Sequence, residues 1–246
     1  VVDIGAAAGL DAAYYLHAGA RVLAIEANPI SANCTRHRLQ SFISSKLLML
    51  ANMQIVAVGQ DGQERNEESS QFIVSSDPLT FERSGEKQVV PDMSKSKQLF
   101  TVRHVSCAYL IKATDRPWYM KIDVEDATVD CVNSLAALPH DYLPVYLSAE
   151  LSSVQIVHAL HLLGYTEFKI VRQSAHGGVR TQLGECMHGD TAMLLESSSG
   201  LIGEDSLDVQ AGTMWRNFEE TRTAAEYIMS YPPFRDSVAQ MFPPSV

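Results

Sequence analysis

The first 30 residues leave this chain few folds to choose from. Val1 to Ile4 is a short apolar run around Asp3, and Gly5 ends it. That pattern reads as a buried strand entering a tight turn. Gly9 to Ala18 reads as a helix with Gly19 as its stop. Arg21 to Ile25 is a second buried strand, closed by Glu26, and Pro29 opens a helical pattern that runs to about Ile43. Gln54 to Val58 is a third strand. Strands and helices that alternate in this way imply parallel strands joined by right-handed crossovers.

The rhythm breaks after Gly59. Gln71 to Val74 reads as an extra strand inside a polar excursion that reaches about residue 98, and this excursion is expected to be an insertion or a lid over the site. Regular elements return with the strands Phe100–Val105, Trp118–Val124 and Pro144–Leu151 and the helices Ala127–Ala137 and Ser152–Leu163. Thr166–Val171 and Thr191–Leu195 are joined by a loop without helical pattern, which predicts an antiparallel pair. The fold class expected is therefore α/β, a Rossmann-like, doubly wound, seven-stranded mixed sheet. It is mostly parallel with the last strand antiparallel, and helices cover both faces. A chain of 246 residues fits a single domain, here with a C-terminal helical extension over about 213–246.

Charge narrows the partners. Against 29 acidic residues stand 19 basic ones, a net charge of −10, and no Lys/Arg block supplies the footprint that nucleic acid needs. The most apolar stretch, Phe42 to Gly59, is interrupted by Ser44, Ser45, Lys46, Asn52 and Gln54, so no membrane span is expected. A soluble, cytoplasmic protein is the expectation, with residues before Val1 because the chain opens inside a strand without Met. Cys34, Cys107, Cys131 and Cys186 form no C-x-x-C pair, which predicts buried free thiols rather than a zinc site or a disulfide framework.

The chemistry-bearing residues gather where the strands end. Small residues at positions 5 to 9 let a ligand come close to the backbone, and the following helix offers free N–H groups. An acid at the end of the second strand, Glu26, can accept hydrogen bonds from ribose hydroxyls. Together they predict an adenosine-type ligand at the switch point. A dinucleotide site usually reads G-x-G-x-x-G, but this turn reads D-x-G-x-x-x-G, with Ala7 at the second glycine's place. Asp3 ahead of the turn suits a methionine ammonium better than a pyrophosphate, which favours S-adenosylmethionine over NAD.

The segment VVDIGAAAGLDAAYYLHAGARVLAIEANP resembles the opening motifs of class I methyltransferases. WYMKIDVEDATVDCVNSL, followed by PVYLSAEL, resembles the FkbM family in particular. The positions that match its lysine–acid pattern are Lys121, Ile122, Asp123, Val124, Glu125 and Ala127, with Glu150 on the next strand. Asp126 stands where the family has glycine, and Thr128 where it has a second glutamate. The resemblance implies an S-adenosylmethionine-dependent methyltransferase that O-methylates a hydroxyl on a small molecule or sugar.

The expected cofactor contacts are Asp3, Gly5, Ala6, Gly9, Glu26, Ala27, Asn28, Val58 and Asp123. Asp123, Glu125 and His176 are the candidate catalytic residues, with Glu150 beside them; no metal is assigned. Two alternatives accompany this reading: a catalytically silent, methyltransferase-like binding module, and an NAD-dependent oxidoreductase.

Overall fold

The structure is a computed structural model that describes residues 1–56, 69–74, 81–82, 98–114, 116–172, 182–183, 193–194, 215–230 and 241–242. Six mutually parallel strands form its centre: β1 (Val2–Ile4), β2 (Val22–Glu26), β3 (Leu48–Ile55), β6 (Gln98–Val105), β7 (Tyr119–Ile122) and β8 (Tyr146–Ala149). β4 (Ser69–Val74) pairs antiparallel with β6, and β5 (Phe81–Glu82) pairs antiparallel with β4. The order across the sheet is β5-β4-β6-β3-β2-β1-β7-β8. From β1 the chain steps outward to β2 and β3, then returns to the other side of β1 as β7 and β8. Strand order therefore reverses between β1 and β7, which is where ligands enter open α/β sheets.

The helices change face with the direction of winding. On one face lie α1 (Leu10–His17), α2 (Pro29–Arg38) and α3 (Gln40–Ser44). Ala12, Ala13, Tyr15 and Leu39 pack there against Val22, Ala24, Leu48 and Tyr119. The opposite face carries α4 (Cys107–Lys112), α5 (Thr128–Ser134) and α6 (Val154–Leu162), whose Ile111, Val132 and Ile156 cover Ile4, Ile25, Met120, Ile122 and Leu147. Each fully buried Ile or Leu of this larger core contributes roughly 1.5–3 kcal/mol.

Local chemistry sets the element ends. Asn28 caps α2, its Oδ1 accepting from the amides of Ile30 and Ser31, and Pro29 occupies the first helical position. The α1 helix stops at Gly19, whose φ of 89° lets the Ala20 amide reach back to the Tyr15 carbonyl. The single helix expected from Pro29 to Ile43 is broken at Leu39 into α2 and α3.

Two expectations are corrected. The sheet does not have seven strands with an antiparallel last member; its six central strands are all parallel, and the antiparallel strands extend the opposite edge. The predicted last pair stays outside the sheet. β9 (Val171–Arg172) pairs with β12 (Met241–Phe242), and β11 (Met193–Leu194) pairs with β10 (Gln182–Leu183). Phe168 instead forms an antiparallel bridge with Arg216, exchanging both N–H and C=O hydrogen bonds with it, just ahead of α7 (Phe218–Ser230).

The second correction concerns cysteine. Cys107 and Cys131 are joined by a disulfide with a Cα–Cα distance of 5.2 Å, tying α4 to α5. Cys34 is disulfide-bonded as well, and Cys186 lies outside the described residues. Free thiols were the expectation because sequence spacing alone does not bring residues 24 apart together. Among the described residues, no helix is long and apolar enough to cross a membrane.

Candidate functional site

A row of polar side chains crosses the sheet at the order reversal. Asp3 of β1 is in register with Lys121 of β7, and Lys121 with Ser148 of β8. Side chains alternate between faces along a strand, so all three sit on the α1 face. The Lys121 ammonium is buried among carboxylates from three elements: 2.7 Å from Asp11 of α1, 3.3 Å from Asp123 and 3.7 Å from Asp3. Burial works against its charge, but Asp11, Asp123 and Asp3 outweigh burial and hold its pKa well above the ordinary lysine value. Asp3 is fully buried, neither of its oxygens has a hydrogen-bond partner, and burial pushes its pKa up to about 7 against the pull of Lys121. Beside the row, the Tyr119 hydroxyl and Ser148 share a 2.6 Å hydrogen bond.

The turn after β1 is fastened from the protein side. The amides of Gly5 and Ala6 both donate to the Ile25 carbonyl at 3.0 Å, and the Gly9 amide donates to Ala6 at 2.8 Å. Thr35 and Arg38 of α2 donate to the carbonyls of Ala7 and Ala8 at 3.0 and 2.9 Å. Both glycines are required. Gly5 has φ 81°, and a Cβ there would lie 1.7 Å from the Asp123 carbonyl oxygen; Gly9 has φ 79°, and a Cβ would meet the Thr35 side chain at 2.7 Å. The close approach that makes Gly5 necessary is thus made by the chain's own β7. No side chain caps α1 at Gly9.

Glu26 leans on the same turn. One carboxylate oxygen accepts from the Ala7 amide at 2.6 Å and the other from Asn28 at 2.7 Å. It is only 4% exposed, and burial raises its pKa to about 7 although both amides favour the charged form. Each oxygen retains a lone pair, so the carboxylate can still accept from two hydroxyls. The side-chain amide of Asn52 in β3 donates to the carbonyls of Glu26 and Ala27.

Three acids meet at the ends of β7 and β8. Ile122 and Ala149 are register partners, and the Glu150 amide continues the ladder to the Ile122 carbonyl at 3.1 Å. Asp123 and Glu150 therefore leave the sheet side by side. Asp123 is 29% exposed, whereas Glu150 is 9% exposed with one oxygen, Oε2, buried and unpartnered. Burial first, then the charges of Asp123 and Glu125, raise the Glu150 pKa to about 8. Glu125 is exposed and has φ 50°, an uncommon conformation for a residue with a Cβ. Thr128 is fully buried and accepts from the Val124 amide at 3.4 Å. No group of three or more His, Cys, Asp or Glu side chains among the described residues is arranged to hold a metal ion.

Set beside the sequence expectations, Asp3, Gly5, Ala6, Gly9, Glu26, Ala27, Asn28, Asp123 and Glu125 all fall at or just beneath the order reversal. The cation beside Asp3 is the chain's own Lys121. Asn28 is buried, with its side chain serving α2. Val58 and His176 lie outside the described residues, as does most of the 60–98 excursion. The hub role of Lys121 and the part played by Asp11 were missed. The available signal was the alternation in VDI, YMKID and YLSAE, which puts every polar residue of three neighbouring strands on one face.

No family model matches the chain, and no curated protein does. Among solved structures it is similar to the precorrin-6y C5,15-methyltransferase of Geobacter metallireducens GS-15, at 13% identity and a TM-score of 0.35, over 78% of this chain and 71% of that one. A likeness of that size fixes neither fold nor function.

Proposed function

We propose that the chain is an S-adenosylmethionine-dependent methyltransferase that methylates a hydroxyl of a small molecule or sugar. One observation carries the reading: among the described residues, Asp3, Asp11 and Asp123 lie within 4 Å of the Lys121 ammonium at the order reversal, with Glu26 and Glu150 within its electrostatic reach and Glu125 beside Glu150. Even with Asp3, Glu26 and Glu150 holding protons part of the time, acids outnumber this cation, which disfavours a pyrophosphate and favours a ligand with positive charge. That is the difference between a dinucleotide and a sulfonium that also bears an ammonium. The resemblance of the 118–135 and 144–151 segments to FkbM methyltransferases supports the same class.

The residues present fit this cofactor. Glu26 has lone pairs left for the ribose hydroxyls, and its raised pKa means that it gains from new donors. Gly5, Ala6 and Gly9 keep the turn low beside it, with Ala27 and Asn28 following Glu26; Val58 belongs to the same expected set. When bound, the cofactor supplies an already activated methyl group, so the protein's task is alignment and proton removal. Asp123, the partly exposed acid at the end of β7, is placed to accept a hydroxyl proton, with Glu125 at the rim and His176 the further candidate.

The silent-module reading draws on Thr128, whose side chain is absorbed by Val124 and adds no acid to the rim. Calorimetric titration with S-adenosylhomocysteine beside NAD, and mass spectrometry of a hydroxyl-acceptor panel, separate the readings. Binding of S-adenosylhomocysteine with turnover is expected; binding without turnover selects the silent module, and tighter NAD binding overturns the proposal.

A further inference from the structure

We propose that Asp123 and Glu150 act as one coupled carboxyl pair in which Lys121, as a positioning residue, grips Asp123 and leaves Glu150 as the acid. The strand register carries the inference. Ile122 and Ala149 are paired, so the next residue on each parallel strand emerges beside the other, with neighbouring strands about 4.8 Å apart. The Lys121 ammonium reaches one of the two, lying 3.3 Å from Asp123 Oδ2. Glu150, only 9% exposed, keeps Oε2 buried and unpartnered, the state of a carboxyl that burial denies its charge.

The surroundings point the same way. The charged and titratable groups that act on the pair are Asp3 from β1, Lys121 from β7 and Glu125 from the turn after β7, and Asp11 from α1 acts on Lys121. Two adjacent carboxylates in a poorly hydrated spot do not both ionise readily, and the one nearer a cation keeps the charge. The elevation of Glu150 to about 8 agrees with that assignment. Proton flow follows. A hydroxyl proton passes to Asp123, the O–H electron pair stays on the acceptor oxygen, and Glu150 retains its own proton throughout. The use of the pair on an acceptor rests on the methyltransferase reading, but its existence does not.

The test uses the full chain without cofactor, with its carboxyl groups followed by carbon-13 NMR from pH 5 to 9. The wild type is expected to show three carboxyls titrating in this range, with Glu150, assigned by its loss in Glu150→Gln, near pH 8 and above Asp3 and Glu26 at about 7. Glu150→Gln should abolish the highest of these titrations, and Asp123→Asn should lower its midpoint by about one unit, a tenfold loss of proton affinity. Lys121→Arg should preserve the pattern, and Lys121→Met should move the Glu150 midpoint. Should Lys121→Met fail to fold, the two carboxyl variants decide alone. Survival of the alkaline titration in Glu150→Gln, or an unmoved midpoint in Asp123→Asn, overturns the pair. S-adenosylhomocysteine affinity is measured alongside. Absent binding with the titration intact defeats the cofactor reading and leaves the pair standing, whereas binding with the titration unmoved by Asp123→Asn does the reverse.

Discussion

Gly5 and the Asp123 carbonyl share one space: a single added methyl on Gly5 would lie 1.7 Å from that oxygen. The Asp123 amide also donates to the Ile4 carbonyl at 2.9 Å. The turn expected to receive a cofactor and the strand end expected to act on an acceptor are therefore one joint.

Gly5→Ala should consequently cost at least about 2 kcal/mol, because left-handed backbone alone costs an L-residue roughly 1–2 kcal/mol and the β7 exit must also move. Gly19→Ala is the control. Its φ is 89°, but nothing lies within 4 Å of the added carbon, so only the conformational part, about 1–2 kcal/mol, is expected. Urea denaturation of both variants checks the difference, and equal losses would contradict the joint.

Glu26→Ala should weaken S-adenosylhomocysteine binding by about 1–3 kcal/mol, the usual loss when a charged hydrogen-bond partner is removed. Calorimetry measures it. Unchanged affinity would remove the proposed ribose contact while leaving the fold untouched.

Stability should fall as pH rises from about 4 to 8. Asp3 and Glu26 are raised to about 7 and Glu150 to about 8, so across this window the folded chain holds protons that the unfolded chain has released. The three groups favour folding most below their unfolded values, and their contribution is lost as pH climbs through the folded ones. Thermal melts at pH 5 and pH 8 without ligand are expected to give the higher Tm at pH 5; the opposite order would show that these acids are ionised at low pH. Since new donors to Glu26 favour its charged form, ligand binding near pH 6 should release protons, seen as a buffer-dependent calorimetric enthalpy.

Reduction of the Cys107–Cys131 bridge should cost about 2–4 kcal/mol of stability. Cys107→Ala/Cys131→Ala, compared with the oxidised chain by denaturation, checks this. No loss would mean that the α4–α5 packing is self-sufficient.

Much of the frame was legible in the sequence because glycine, proline and asparagine act locally. Gly5, Gly9 and Gly19 mark turns that require positive φ, and Asn28-Pro29 marks a helix start. The place of Glu26 followed from strand length alone. What was not legible depends on contacts distant in sequence. Phe168 bridges to Arg216, a partner far along the chain. The disulfide closes over a gap that no motif spans. Lys121 stood within the quoted motif, but its meaning comes from Asp3, which lies 118 residues earlier yet one strand away.

The grip of Thr35 and Arg38 on the carbonyls of Ala7 and Ala8 makes α2 a lever arm. A shift of the turn would pull on that helix at two points, on either side of the exposed His37. A fluorophore placed there would register ligand arrival from outside the crevice, without touching any group engaged in the chemistry.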